Sequence, residues 1–248
     1  MTIVRLTGGL CNTMFMYAFG RSLSVRKNVS VDFHWCRSTW DYSLGAYNVK
    51  PNLVEPFAGM KVYNEKSTAH DPEVLNAPEE TYFKGYWQSE KYFEEDVIRK
   101  ELVLSHPTEE MLAKAKEIRN YDNSVFIHVR HGDYLTTPET NAYHGVLPYD
   151  YYIRAIDYMR TKVTNPEFFV FSDDIDWCRT VGLPGTFINA GLHGDLYLMR
   201  CCKHAIIANS SYSWFGAWLG KAEIVMVPKP WFRATASGDI IPERWKRI

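Results

Sequence analysis

Four apolar runs of the sequence are each followed by polar residues or glycines, at points where strands are expected to end. The segments that follow them are Thr7-Gly8-Gly9, Arg130-His131-Gly132-Asp133, Ser172-Asp173-Asp174 and Asn209-Ser210-Ser211-Tyr212-Ser213. A guanidinium group offers a rigid fork of donors to phosphate oxygens, and helix N-termini that open with serine attract anions. Together these groups predict a site for a phosphorylated ligand rich in hydroxyl groups.

Each of these residues also has an ordinary structural interpretation. An ion pair of Arg130 with Asp133 or Asp173 is as good an explanation as phosphate binding. Ser210 is a common helix N-cap, Asp173 and Asp174 suit a solvated turn, and His128 lies inside an apolar strand where a core histidine is usual. The glycines match neither GxGxxG nor the phosphate loop GxxxxGK[ST], which argues against an ordinary ATPase.

The elements that must position these residues alternate between strand and helix. Apolar runs and helical spacing predict strands over 3–6, 29–33, 82–87, 124–129, 168–171, 204–208 and 223–227, with helices over 12–27, 89–104, 149–163, 195–203 and 210–219. A further helix is expected after the cap Thr108, and residues 35–80 are expected to be irregular. Strict alternation in the second half predicts a parallel sheet, whose ligands bind beyond the carboxyl ends of the strands.

The fold class is therefore α/β, with two Rossmann-like units separated by a linker. The best linker candidate is Ser105-His106-Pro107-Thr108, which divides the chain into residues 1–105 and 106–248.

Composition excludes several classes of protein. Among 248 residues 46% are hydrophobic, so a mainly disordered chain is excluded, and the net charge of -1 provides no positive field for nucleic acid. Five cysteines without metal-type spacing do not make a disulfide scaffold and favour a reducing compartment. No signal peptide and no run of about 20 apolar residues is visible, so the expectation is a cytoplasmic protein without a membrane anchor.

The motifs, taken in order, resemble family 11 glycosyltransferases, the α-1,2-fucosyltransferases. The resemblance covers nearly the whole chain and is carried by Gly8-Gly9-Leu10-Cys11-Asn12-Thr13-Met14-Phe15-Met16-Tyr17-Ala18, Gly85-Tyr86-Trp87-Gln88-Ser89-Glu90-Lys91-Tyr92-Phe93, His128-Val129-Arg130-His131-Gly132-Asp133-Tyr134, Phe171-Ser172-Asp173-Asp174, Asn209-Ser210-Ser211-Tyr212-Ser213-Trp214-Phe215-Gly216-Ala217-Trp218, Pro228-Lys229-Pro230-Trp231-Phe232 and Asp239-Ile240-Ile241-Pro242.

This resemblance implies a GT-B-like fold, with residues 1–105 on the acceptor side and residues 106–248 binding the GDP-sugar. It implies transfer of L-fucose from GDP-β-L-fucose, with inversion, to a glycan hydroxyl, with the 2-hydroxyl of galactose as the expected acceptor. It also implies that no metal or other cofactor is required.

The resemblance also assigns residues to the site. Arg130 is expected to contact the donor phosphates. Apart from the resemblance, the acceptor hydroxyl must lose a proton, and Asp133, His128 and Asp173, in that order, are candidates for the base. Asp133 leads because it lies just past the strand end, and its rival role is to orient Arg130. The expected substrate-binding residues are Gly8, Gly9, Asn12, Gly132, Asp173, Ser210, Ser211 and Ser213.

This chain departs from the family pattern at four positions. Cys11 stands where the family has glycine, which restricts the backbone if a glycine conformation is needed there. Thr13 and Met16 replace glutamines that could line the site, and His131 replaces a second arginine, so a fixed charge becomes a titratable one.

Three other readings stay open at this point. Asp173, Asp174 and Asp176 could hold a divalent ion in a metal-dependent sugar transferase. The departures at Cys11 and His131 are compatible with a module that binds GDP or sugar without turnover. A structural α/β domain is the third possibility.

Overall fold

The computed structural model describes residues 1–37 and 40–248, which divide into two compact units. The first unit contains Met1–Ser105 and Ser237–Pro242, and the second contains His106–Ala236 and Glu243–Ile248. The main boundary between the two units, between Ser105 and His106, lies inside the segment predicted as a linker. The return of Ser237–Pro242 to the first unit has no counterpart in the sequence prediction.

The first unit is a four-stranded parallel sheet. Its elements are β1 (Thr2–Leu6), α1 (Leu10–Lys27), β2 (Val31–Trp35), β3 (Lys61–Asn64), β4 (Thr81–Lys84) and α2 (Glu95–Glu101), and its strand order is β2-β1-β4-β3. The order reverses between β1 and β4, where Ile3 pairs with Tyr82. A ligand of this sheet is expected at that switch point.

Several helices and strands of the first unit begin or end at other residues than predicted, because capping residues set their boundaries. Asn28 adopts a left-handed conformation (φ 52°) that ends α1, and the N–H of Val29 donates to Ser24 O, so β2 begins at Val31. Ser89 caps only a short 3₁₀ turn over Glu90–Tyr92, and α2 ends three residues before the predicted end. The prediction of a helix over 89–104 was therefore wrong in extent.

Residues 35–80 also contain more order than predicted, because β3 and two 3₁₀ turns lie there, at Leu44–Ala46 and Pro72–Asn76. The part of that prediction on residues 38–39 lies outside the described residues. The predicted strand over 82–87 ends at Lys84, and Trp87 has a positive φ of 55°, which is not a strand conformation.

The second unit is a six-stranded parallel sheet with the strand order β10-β9-β8-β5-β6-β7. Its elements are α3 (Glu109–Arg119), β5 (Ser124–Val129), α4 (Gly132–Thr136), α5 (Pro138–His144), α6 (Tyr149–Lys162), β6 (Glu167–Ser172), α7 (Ile175–Thr180), β7 (Thr186–Ile188), α8 (Gly191–Met199), β8 (His204–Ile206), α9 (Ser211–Gly220), β9 (Ile224–Val227) and β10 (Lys246–Arg247).

Numbered from β5, this is the 3-2-1-4-5-6 order of Rossmann sheets, with its switch point between β5 and β8. All six residues of β5 are buried, as its nearly all-apolar run predicted. Thr108 caps α3 through Met111 N–H, also as predicted.

Sequence analysis did not predict five short elements of this unit, namely α4, α5, α7, β7 and β10. Helix α8 begins at Gly191 rather than at Asp195, whose carboxylate instead accepts the N–H of Ala190 from inside the helix.

Aromatic residues account for much of both cores. Trp87, Trp214, Trp218 and Trp231 are fully buried, and in the first unit Phe19 stacks on Trp87 with ring centroids 4.3 Å apart. The high aromatic content is thus largely explained by packing.

Candidate active site

Arg130 lies directly after β5 and is held by two carboxylates. Its Nη2 lies 2.6 Å from Asp133 Oδ1 and its Nη1 lies 2.8 Å from Asp173 Oδ2. The guanidinium also stands 5.5 Å from the ring centroid of Tyr134. Both ion pairs that the sequence offered as alternatives to phosphate binding are therefore present together.

The Asp173 side chain is fixed at both oxygens. Oδ1 accepts the backbone N–H of His131 at 2.8 Å, while Oδ2 binds Arg130. Gly132 makes this approach possible, because a Cβ at that position would lie 2.4 Å from Asp173 Oδ2. In this structure Asp173 and Gly132 position Arg130.

His131 is buried and tied to Asp174 on the neighbouring strand end. Its Nδ1 lies 3.0 Å from Asp174 Oδ2, and its ring packs edge-to-face against Trp177, with the ring centroids 4.3 Å apart. The hydrogen bond from His131, followed by that from the Trp177 N–H, lowers the pKa of Asp174. The position that carries an arginine in the family pattern is thus built here as an imidazole–carboxylate pair.

His128 lies within β5 and is only 4% exposed. Burial, and secondarily the nearby Arg130 charge, lowers the pKa of His128 to about 3. Its imidazole is therefore neutral near pH 7 and a weak proton acceptor.

The N-terminus of α9 lies after β8, on the other side of the switch point from Arg130. Ser210 is the N-cap and accepts the N–H of Tyr212 at 3.3 Å, while Ser211 is partly exposed. The Ser213 hydroxyl is fully buried and points to Ala208 O (3.2 Å) and Ser210 O (3.3 Å). Because its proton is donated to the backbone, Ser213 stabilises the N-terminal end of α9 and does not offer a free hydroxyl to a ligand.

Tyr134 and Asn209 connect the two sides of this switch point. The Tyr134 hydroxyl donates to Asn209 O at 3.0 Å, and Asn209 Nδ2 donates to His144 O (2.8 Å) and Gly145 O (3.1 Å). Sequence analysis placed Asn209 in the polar segment after β8 and Tyr134 in the motif that contains Arg130, but it assigned neither residue a role. The position of Asn209 directly before the helix cap was the signal that could have identified it.

In the first unit, Asn12 and Gln88 join the ends of β1 and β4. Gln88 Nε2 donates to Asn12 Oδ1 at 2.9 Å. Gly8 has a φ of 79°, which favours glycine, whereas Gly9 at φ -70° has an ordinary conformation. Residues predicted from two separate motifs thus meet at the switch point of this sheet.

The departures in α1 are accommodated without strain at the backbone. Cys11 has a helical conformation, so a glycine is not needed there. Met16 is fully buried, and the Thr13 hydroxyl donates to Gly9 O at 3.1 Å, so both side chains face the interior of the unit. The glutamine positions of the family pattern correspond here to core positions.

Glu65 is a further residue that sequence reasoning missed. Its carboxylate accepts the N–H groups of Tyr86 (2.7 Å) and Trp87 (2.9 Å), and thus holds the segment that carries Gln88. Burial raises the pKa of this carboxyl group, although the two hydrogen bonds oppose the shift.

The acidic residues after β6 are engaged in separate contacts. Asp173 binds Arg130, Asp174 binds His131, and Asp176 lies 3.3 Å from Arg179. Across residues 1–37 and 40–248, no group of three or more His, Cys, Asp or Glu side chains is arranged to hold a metal ion. In the same ranges, no helix combines the length and apolarity needed to cross a membrane.

Known proteins similar to this chain are sugar transferases. The family model "Glycosyl transferase family 11" matches residues 60–245. An α-1,2-colitosyltransferase of Escherichia coli is 31% identical, with 100% of this chain and 99% of that protein aligned. A galactoside 2-α-L-fucosyltransferase, Sec1 of Mus musculus, is 26% identical over 58% of this chain and 43% of that protein, so this chain spans less than half of that relative.

Among solved structures, the fucosyltransferase NodZ from Bradyrhizobium superposes with a TM-score of 0.50 at 15% identity, covering 87% of this chain and 92% of that chain. That likeness supports a GT-B-like fold of two Rossmann-like units. The family match over residues 60–245, together with the full-length relative, shows that this chain belongs to glycosyltransferase family 11.

Proposed function

We propose that this glycosyltransferase moves L-fucose from GDP-β-L-fucose to a glycan hydroxyl, the 2-hydroxyl of a galactose unit, with inversion and without a metal ion. The observation that carries the proposal is the placement of Arg130 and the α9 N-terminus on the two sides of the β5/β8 switch point, in a chain of family 11. In this proposal residues 106–248 bind the GDP-sugar and residues 1–105 form the acceptor side.

The proposed reaction needs stabilisation of a leaving diphosphate. The acceptor oxygen forms a bond to the anomeric carbon as the bond from that carbon to the β-phosphate oxygen breaks, and GDP leaves with the electron pair. Arg130 and the N–H groups at Ser210 and Ser211 are suited to stabilise the negative charge that develops on the phosphate. Preorganised donors of this kind contribute about 10²–10³ in rate each.

The acceptor proton must be transferred to a base. Asp133 is the best candidate, because its carboxylate lies on α4 at the strand end and is 36% exposed, whereas both oxygens of Asp173 are engaged and His128 is buried. Gly8, Gly9, Asn12 and Gln88 are proposed to border the acceptor.

A second donor is favoured by one specific finding. The relative that aligns over its full length is an α-1,2-colitosyltransferase, so a nucleotide-linked colitosyl donor is the alternative to GDP-fucose for this chain.

The test is a transfer assay with GDP-fucose, or the colitosyl donor, and a panel of β-galactosides in the presence of a chelator. The proposal predicts GDP release matched by fucosylated product, with Arg130→Lys as an impaired control. Faster turnover of the colitosyl donor would select the alternative. Activity that requires added manganese would contradict the metal-independent reaction, and GDP binding without any transfer would favour a binding module.

A further inference from the structure

The two carboxylates that bind Arg130 are not equivalent. Asp173 is anchored by the His131 N–H and by the space that Gly132 leaves for it. Asp133 has Arg130 Nη2 as the one hydrogen-bond partner of its carboxylate within residues 1–37 and 40–248, and it is the more exposed of the two acids, 36% against 25%. Asp133 is therefore free to leave Arg130 without disturbing another contact.

Arg130 does not need Asp133 to keep its orientation. Asp173 holds Nη1 at 2.8 Å, and Tyr134 lies under the guanidinium with its own hydroxyl bound to Asn209 O. Removal of the Asp133 contact leaves this support in place and exposes Nη2 to a new partner.

The charges explain why Nη2 must change partner. One guanidinium charge faces two carboxylates, so the cluster of Arg130, Asp133 and Asp173 presents no net positive charge to a diphosphate while both contacts persist. A phosphate oxygen competes with a partly exposed carboxylate for the same donor, and an ion pair of this kind is weak enough to be exchanged.

We infer that donor binding exchanges Asp133 for phosphate at Arg130 Nη2 and thereby releases the Asp133 carboxylate toward the acceptor. This inference rests on the proposed function. It assigns Asp133 two successive states, a competitor of the nucleotide in the free protein and an unpaired carboxylate once the donor is bound. It also implies that the donor binds before the acceptor can be deprotonated.

Calorimetric titration of the full chain with GDP distinguishes this exchange from a role of Asp133 in orienting Arg130. The exchange predicts that Asp133→Asn binds GDP about threefold to tenfold more tightly than the wild type, while fucose transfer falls. The matched control Asp176→Asn removes an exposed carboxylate paired with Arg179 and should leave GDP affinity unchanged. Unchanged or weaker GDP binding by Asp133→Asn would overturn the exchange.

A double-mutant cycle separates exchange from simple repulsion between Asp133 and phosphate. In an Arg130→Gln background, the gain from Asp133→Asn should disappear, and a gain that persists would contradict the exchange. Thermal melts check that each variant is folded. If the folded wild type does not bind GDP at all, the proposed function itself fails, which is a different result from a wild type that binds GDP and an Asp133→Asn variant without a gain.

Discussion

Gly132 leaves the space that one carboxylate oxygen of Asp173 occupies. A Cβ at residue 132 would lie 2.4 Å from that oxygen, and the same oxygen is 2.8 Å from Arg130 Nη1. The glycine of the motif therefore acts through the carboxylate on the neighbouring strand end, and through it on the arginine.

Gly132→Ala should displace Asp173 and lower the rate of sugar transfer about 10²-fold, because misplacement of a catalytic group by about 1 Å has effects of that size. Initial rates at saturating donor test this. Gly45→Ala is the matched control, since among residues 1–37 and 40–248 the nearest atom to a Cβ there would belong to Tyr42, at 3.9 Å. Equal activity of the two variants would show that the contact has no role in turnover.

Arg130→Lys keeps the charge but loses the planar fork that can bind Asp173 and a phosphate oxygen at once. We expect a fall in kcat of about 10²–10³-fold with the fold retained, measured by transfer rate and circular dichroism. Arg179→Lys, in an exposed pair with Asp176, serves as the control and should remain active. Full activity of Arg130→Lys would remove Arg130 from the proposed stabilisation of the leaving group.

His128 should make the protein sensitive to mild acid. Its pKa is about 3 in the folded protein against 6.5 in an unfolded chain, so between these values the unfolded state binds the extra proton and stability falls as pH falls. From pH 7 to pH 5 this contributes a loss of about 2 kcal/mol in the free energy of unfolding. Urea unfolding of the wild type and His128→Phe should show this difference, and parallel pH curves would contradict it.

Asn12 and Gln88 should act as a pair on the acceptor. Asn12→Ala and Gln88→Ala each break the 2.9 Å hydrogen bond, so each should raise the acceptor KM while the donor KM is unchanged. The double variant should be no worse than the worse single variant, with a coupling of about 0.5–3 kcal/mol. Additive effects, or a change confined to the donor KM, would argue against the proposed acceptor side.

Much of the second unit was predictable because its central strands β5, β6 and β8 are almost entirely buried. The six residues of β5 form a nearly all-apolar run, and the polar segments after β5, β6 and β8 were therefore located correctly along the chain. The predictions that failed concern segments whose conformation is decided by single contacts. Residues 85–88 are held by Glu65 rather than by strand pairing, and Asp195 binds the N–H of Ala190 from inside α8.

The candidate site was also predictable only in part. The residue types after each strand predicted where polar side chains gather, and an ion pair of Arg130 with Asp133 or Asp173 was one of two interpretations left open. Sequence could not show that Met16 is in the core or that Asn209 joins α4 to β8, because both depend on packing between distant segments. It also could not show that the Ser213 hydroxyl turns to nearby backbone carbonyls.

The most direct test of the central claim is the structure of the product formed by the wild type from GDP-fucose and a β-galactoside under chelation. Nuclear magnetic resonance of that product should show one fucose in α configuration on O2 of galactose. Fucose in β configuration, fucose on another hydroxyl, or release of GDP without a fucosylated product would contradict the account.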